Sequence, residues 1–528
     1  MADIRHFAQA LVIGSGIAGS TAALAMADQG LDVILLTSGS NLDDGNTVYA
    51  QGGIVYPGAD DSPTLFARDI SKAGCFHSYN KAVRHLAAKG AGAVERILMR
   101  RAGVRFATRG MDEDEEYDLT REGGHSIHRV LHCADFTGRA IMQCLVRAVG
   151  NHPNIRVLAN RTAVDLLTSQ HHARSLTYRY QRLNQCLGAY VFNDAGQRME
   201  TVLAHATVLA TGGLGRIYLH STNARCARGS GLTMAHRAGA RLMNIEYVQF
   251  HPTALYHKSR RRFLITEAMR GEGALLLNGE GERFALRYDP RGELAPRDVV
   301  SRAIVDELHR SGDPCVFLDC RNMSCDLPRR FPTIHKKCLD LGLDITRDTI
   351  PVVPAAHYQC GGVVSDVHGR TNIDGLYAVG ECSCTGIHGA NRLASTSLLE
   401  GVVWGEAAGV HISKQLKRGR KAARKLLDDI PDWADPMHGD APDPALLAQD
   451  WNVIQSTMWN YVGITRTRQR LKRAADELRS LYGNLTEFYK STPVSKPLVD
   501  IFHSSYAAYI VALSALRNPV SKGCHHLE

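Results

Sequence analysis

Gly14-Ser15-Gly16-Ile17-Ala18-Gly19 spells G-x-G-x-x-G, a spacing that suits the pyrophosphate of a dinucleotide. Gly14 permits a tight turn, Gly16 lets backbone approach the phosphates, and Gly19 allows a helix to pack closely against a strand. The phosphate charge then meets a helix N-terminus, where free N–H groups and the dipole favour an anion. Ser15 and Ala18, between the glycines, are expected at the same site. The following strand ends Leu36-Thr37-Ser38-Gly39, with no carboxylate to take a ribose diol, which counts against ordinary NAD binding.

These residues need a strand before them and a helix after. Residues 10–13 (ALVI) are a short apolar run, an alanine-rich stretch continues to Asp28, Gly30 closes it, and residues 32–36 (DVILL) make the second strand. That is a βαβ unit of the length the dinucleotide fold requires. Apolar strands recur at residues 206–210 (ATVLA) and 376–379 (LYAV), each followed closely by glycine. Residues 241–354 have a mixed texture of short strands, short helices and prolines, which reads as an insertion capping the cofactor domain. From about residue 421 glycine is sparse and helix formers dominate, with residues 466–481 strongly periodic and a Pro/Asp-rich linker at 432–444. The expected fold class is α/β. A Rossmann-like dinucleotide domain (residues 1–240 plus 355–420) carries an inserted α+β capping domain (241–354) and a C-terminal helical bundle (421–528).

Length and composition agree with several domains: 528 residues, 44% hydrophobic and 22% charged. No apolar run approaches the roughly 20 residues that cross a bilayer. The opening MADIRHFAQA lacks the basic, apolar and small-residue segments of a secretory leader, so a cytoplasmic protein with no membrane contact is expected. Thirteen cysteines include a C-x-C pair, Cys382 and Cys384, and Cys315, Cys320 and Cys325 at intervals of five. Neither pattern has zinc spacing, so reduced, mostly buried thiols and no metal are expected. The net charge of +9 fits an anionic ligand. The basic runs at 258–262 and 417–425 lack interleaved aromatics, which argues against nucleic acid.

Two further segments resemble the later strand-turn elements of two-domain flavoproteins: residues 207–213 (TVLATGG) and 371–381 (TNIDGLYAVGE). The resemblance makes the cofactor FAD and puts Glu381 on its ribityl or ribose region. Asn46-Thr47-Val48-Tyr49-Ala50-Gln51-Gly52-Gly53 resembles the flavin-contacting loop shared by succinate dehydrogenase flavoprotein subunits, fumarate reductases and L-aspartate oxidases. The likeness continues through 249–253 (QFHPT), 266–273 (TEAMRGEG), 296–300 (PRDVV), His357-Tyr358 and 388–395 (HGANRLAS). It covers nearly the whole chain. It implies that Asn46, Thr47, Tyr49, Ala50, Gln51, Gly52 and Gly53 hold FAD, together with Ser397 and Leu398. It also implies that His251, Thr266, His357 and Arg392 bind a dicarboxylate, Arg392 as a bidentate fork. Arg297 matches the family's proton-delivering arginine. By intrinsic pKa it is a poor acid, and an ion pair with Asp298 or Glu267 is the structural alternative.

Two positions separate the relatives. Where succinate dehydrogenases and membrane fumarate reductases carry the histidine that bonds FAD covalently, this chain has Asn46, so FAD is expected to be non-covalent. In 121–126 (REGGHS), succinate-oxidising relatives have an apolar residue at Glu122 and glutamine at His125. A carboxylate beside a dicarboxylate is repulsive unless the substrate carries a cation, and L-aspartate differs from succinate by one ammonium. The acidic stretch at 112–116 allows a surface reading of Glu122. The resemblance implies oxidation of L-aspartate to iminoaspartate, with dioxygen or fumarate (yielding succinate) as acceptor, and delivery to quinolinate synthase as the first step of NAD synthesis. A fumarate reductase or succinate dehydrogenase-type flavoprotein is the alternative. The chain departs from the family at Ser38, where lysine is common, and at Ser230, where Gly-Asp-Gly is usual.

Overall fold

The chain's first extended run, Arg5–Ile13 (β1), ends in Ala10, Leu11, Val12 and Ile13, all buried, as a strand with both faces covered must be. The computed structural model describes residues 4–58, 60–109, 116–257, 262–434 and 443–528. After β1 come α1 (Ile17–Ala27), β2 (Val33–Leu36), β3 (Ile155–Leu158), β4 (Arg161–Thr168), β5 (Cys186–Asn193) and β6 (Arg198–Leu209). They form a sheet of order β3-β2-β1-β6-β5-β4, parallel from β3 to β6 and antiparallel from β6 to β4. The expected strand at 206–210 is only the end of the 12-residue β6. One edge of β6 runs along β1. The other forks, pairing residues 198–203 with β5 and Thr207–Leu209 with a seventh strand, Leu376–Ala378. The fork opens the sheet beside the glycine loop.

A second, antiparallel sheet orders Val248–Leu255, Ile350–Gln359, Val316–Asp319 and Leu275–Leu277. Its core includes Leu255, Leu276, Leu318 and Val352. Helix α2 (Arg297–Ser311) lies on it, fastened by a hydrogen bond from Ser301 Oγ to the Phe250 carbonyl at 3.1 Å. This aims the first residue of α2, Arg297, at the gap between the two sheets.

All eleven residues of α1 are buried, and small side chains let a second helix reach its backbone. That helix is α3 (Thr396–Lys417), whose Gly401, Gly405 and Gly409 recur every four residues along one face. A Cβ at Gly405 would sit 2.7 Å from the Ala18 carbonyl oxygen, and one at Gly409 would sit 2.6 Å from the Ala25 Cβ. Close packing of α3 thus fixes the helix that follows the glycine loop.

The C-terminal helices α4 (Pro444–Tyr461), α5 (Arg468–Ser491) and α6 (Lys496–Arg517) cover the other side of the sheet. Alternation along β1 divides the two cores: Ala10 and Val12 face α1 and α3, while Leu11 and Ile13 share a core with Ala474, Leu498 and Ala508. The periodicity at 466–481 belongs to α5, which buries Leu471, Ala474, Ala475 and Leu478 and is capped by Thr467. Arg466 lies outside that helix and is fully buried. The expectation that no apolar run approaches a bilayer span does not hold for α6. At 22 residues and mean hydropathy 1.3, α6 is long and apolar enough to cross a bilayer, yet 72% of that window is buried inside the protein. All thirteen cysteines are free, and nine are buried. Most of the acidic stretch at 112–116, the basic run at 258–262 and the linker at 432–444 lie outside the described residues.

Candidate active site

The glycine loop opens on the wall of a cavity of about 1120 Å³ that lies between the two sheets. Gly14 has φ +110°, and a Cβ there would overlap the Ala210 carbonyl, so the turn out of β1 requires glycine. Gly16 caps α1, and the Ile17 N–H donates to Thr47 Oγ1 at 3.2 Å, tying the glycine loop to the 46–53 loop. Ser15 lines the cavity while its hydroxyl turns away to the Leu42 carbonyl at 2.7 Å. Ala18 is on the wall, but Gly19 is not: it packs behind the loop against the Gly14 carbonyl, where any Cβ would collide. That approach is the close helix-strand packing its place in the motif calls for.

Asn46–Tyr49 forms one tight turn on the cavity wall, followed by Ala50, Gln51, Gly52 and Gly53. Asn46 is a bridge. Its Oδ1 accepts from the Ala224 N–H at 2.7 Å and its Nδ2 donates to Glu381 Oε2 at 3.3 Å. Glu381 Oε1 accepts from the Gln359 N–H at 3.1 Å, yet burial pushes this carboxyl up to about 7. Buried polar atoms on the same wall, Gln51 Oε1, Thr211 Oγ1 and Asn223 Oδ1, have no hydrogen-bond partner among the described residues. Such atoms are costly unless a ligand satisfies them, so an elongated polar cofactor fits this wall. Ser397 and Leu398 also line it, though Ser397 Oγ accepts from Arg392 Nη1 at 3.1 Å and so serves the cavity's other end too.

At that end four charged side chains meet: Glu122, Glu267, Arg297 and Arg392, each at most 8% exposed. Arg392 stacks its guanidinium 4.5 Å over the Tyr358 ring, and its buried Nε has no hydrogen-bond partner among the described residues. Burial, with Arg297 nearby, lowers it to about 10, which still leaves it a cation. Arg297 donates from Nε to Glu267 at 2.6 Å and from Nη1 to Gln249 Oε1 at 3.0 Å. Its ion pair is with Glu267; Asp298 pairs with Arg302 instead. Burial opposes ionisation of Glu267, but Arg297 and Arg270 hold its carboxyl below the usual range.

Glu122 is 5% exposed and accepts a 2.5 Å hydrogen bond from Ser395 Oγ, which excludes the surface reading. It lies against Gly52, where a Cβ would overlap Oε1. Burial and then the Glu267 charge raise its proton affinity above the ordinary carboxylate range. His251 and His357, ring centroids 5.1 Å apart, are both held neutral by burial and by Arg297. Thr253 N–H donates to His251 Nδ1 at 3.3 Å, leaving Nε2 for the cavity, while His357 Nδ1 is 3.0 Å from Thr222 Oγ1. Thr266 caps the short helix Glu267–Gly271 and faces the same space.

His125 is not on the wall. Its Nε2 reaches the Ala394 carbonyl at 3.0 Å and its Nδ1 the buried Arg129 at 3.3 Å, and burial lowers it to about 4. Arg129 also pairs with Asp61 and Asp69, and Asp69 accepts from the Ser126 N–H at 2.9 Å. This cluster pins the loop that carries Glu122. The sequence left Gln249, Tyr358 and Ser395 without roles although all three stand in recognised motifs, and offered Glu267 only as a structural ion-pair partner of Arg297. It also missed Arg228, Lys496, Asp500 and His503, which line the cavity from outside every motif.

A family model described as an FAD binding domain matches residues 9–398. The chain is 42% identical to the L-aspartate oxidase of Yersinia pestis, covering 99% of this chain and 96% of the relative. It is 42% identical to that of Pseudomonas aeruginosa (98% and 94% covered) and 38% identical to a chloroplastic L-aspartate oxidase of Arabidopsis thaliana (98% and 80%). Among solved structures it is similar to E. coli quinol fumarate reductase, with TM-score 0.86 and 28% identity over 99% of this chain and 91% of that one.

Proposed function

The chain belongs to the L-aspartate oxidase family of FAD-dependent flavoproteins, and from that premise we propose how its residues bind and choose their substrate. The reaction is oxidation of L-aspartate to iminoaspartate, the step that opens NAD biosynthesis. FAD, when bound, accepts the hydride that leaves the substrate Cα.

Arg392 holds one substrate carboxylate, and the neutral imidazoles of His251 and His357 with the Thr266 hydroxyl donate to the carboxylates. Glu122 pairs with the ammonium. Its raised proton affinity also suits it to hold the proton that the nitrogen sheds as Cα is oxidised. Succinate brings no cation and would leave Glu122 desolvated and unmatched, which disfavours it as the electron donor. The observation carrying this reading is a buried carboxylate pressed against the 46–53 loop in a pocket otherwise set up for anions.

Arg297, braced by Glu267 and Gln249, is the proton donor to the carbon skeleton when fumarate is the acceptor. Fumarate fits the pocket because it shares aspartate's four-carbon dicarboxylate frame. Dioxygen is the other acceptor, quinolinate synthase the consumer of iminoaspartate, and the cytoplasm the compartment. FAD is held without a covalent bond, since a carboxamide at Asn46 offers no nucleophile and both its polar atoms are engaged.

Incubation with L-aspartate should release oxaloacetate and ammonia by hydrolysis of the imine. No turnover of aspartate alongside brisk fumarate reduction would instead make the protein a fumarate reductase. Acid precipitation should leave the flavin in the supernatant; flavin in the pellet would refute non-covalent binding.

A further inference from the structure

Helix α6 sends one face into the cofactor cavity far from the substrate. Lys496, Asp500 and His503 fall at i, i+4 and i+7, a single helical face, and all three line the cavity with Ser38 and Ser230. Lys496 Nζ donates to the Ser38 carbonyl at 2.5 Å. Asp500 pairs with Arg228, whose guanidinium also stacks 5.3 Å over Trp451 of α4 and whose buried Nε has no hydrogen-bond partner among the described residues. His503 Nδ1 meets Thr233 Oγ1 at 2.8 Å, one turn into the helix that Ser230 opens.

In a dinucleotide fold the adenosine ribose sits at the end of the second strand. Here that position is Ser38, which has neither a carboxylate nor an amine to offer. The cation beside it comes from Lys496 instead, with the Asp500 carboxylate one turn further along the same helix face. The two places where the chain departs from its family's pattern both line this cavity, Ser38 bonded to Lys496 and Ser230 opening the helix whose Thr233 meets His503. We propose that Lys496 and Asp500 of the C-terminal helix form the adenosine side of the FAD site, Lys496 supplying the amine that the second strand lacks. Cofactor binding then fastens the C-terminal helices to the sheet, a task separate from substrate choice.

The test is flavin and nucleotide binding to the apoprotein, followed by fluorescence, for wild type, Lys496→Ala and the double variant Ser38→Lys/Lys496→Ala. FMN serves as a ligand without the adenosine half and ADP as one without the flavin. Loss of one charged hydrogen-bond donor should weaken FAD and ADP about tenfold in Lys496→Ala. FMN should stay within about twofold, since it never reaches this contact. Returning a lysine at position 38 should recover most of the FAD affinity. Unchanged FAD and ADP binding would overturn the proposal. So would equal weakening of FMN, or a lowered apoprotein Tm with no recovery in the double variant, either of which marks a merely structural lysine. The preference for aspartate over succinate at saturating FAD should not move, so this inference can fail while the substrate reading stands.

Discussion

Glu122→Gln removes one charge and almost nothing else. The amide oxygen of glutamine can still accept from Ser395 Oγ, so the loop 121–126 should keep its place, pinned as it is by Arg129, Asp61 and Asp69. Removing one partner of a buried charge pair costs about 2–5 kcal/mol. Glutamine retains a dipole toward the ammonium, so about 3 kcal/mol is reasonable, or a loss of about 150-fold in kcat/KM for L-aspartate. Succinate should gain a few-fold, because the repulsive carboxylate is gone. The pH profile adds an independent sign. Burial and Glu267 raise the Glu122 pKa, so below it the group is neutral and cannot pair with the ammonium. In wild type, kcat/KM for aspartate should therefore climb with pH through an ionisation above the usual carboxylate range, and Glu122→Gln should lack that limb. Measurements belong at saturating FAD, because Glu381, pushed up to about 7, titrates in the cofactor wall. Equal losses for aspartate and succinate, or an acid limb that survives the substitution, would refute the assignment.

Arg392→Lys keeps a cation but loses the fork and the stacking on Tyr358; kcat/KM should fall about 100-fold for aspartate and fumarate alike, against selective loss of one if Arg392 touches only the ammonium side. Gly52→Ala drives a methyl into Glu122, so steady-state assays should find the aspartate-to-succinate preference reduced about tenfold or more, with no change if Glu122 does not set it. Gly405→Val overpacks the α1–α3 contact by about 1–3 kcal/mol, which should appear as a lower Tm and a weaker FAD Kd together, whereas a Tm change with intact FAD affinity would separate that contact from the cofactor site.

The glycine loop was legible because its residues are required by backbone geometry: Gly14 at positive φ and Gly19 against a carbonyl leave no room for a side chain. Glu122 was legible only from its neighbours, since a glutamate near an acidic stretch says nothing alone about burial. The fork of β6 was not legible, because the first half of that strand alternates residue types and its pairing with Leu376–Ala378 spans a long sequence separation. His125 marked the right loop but acts from behind it, on Ala394 and Arg129 rather than on substrate. Lys496 and Asp500 had no motif at all. Their bearing on the cavity follows from α6 packing across the sheet face, a tertiary fact that periodicity within α6 cannot announce.

Selection of L-aspartate by a buried carboxylate is tested most directly by the reductive half-reaction under anaerobic conditions, following flavin absorbance in a stopped-flow instrument. Mixing with L-aspartate should bleach the flavin of the wild-type protein about 100-fold or more faster than succinate at equal concentration, and Glu122→Gln should erase most of that difference. Equal bleaching by the two acids in wild type, or a preference untouched by Glu122→Gln, would contradict it.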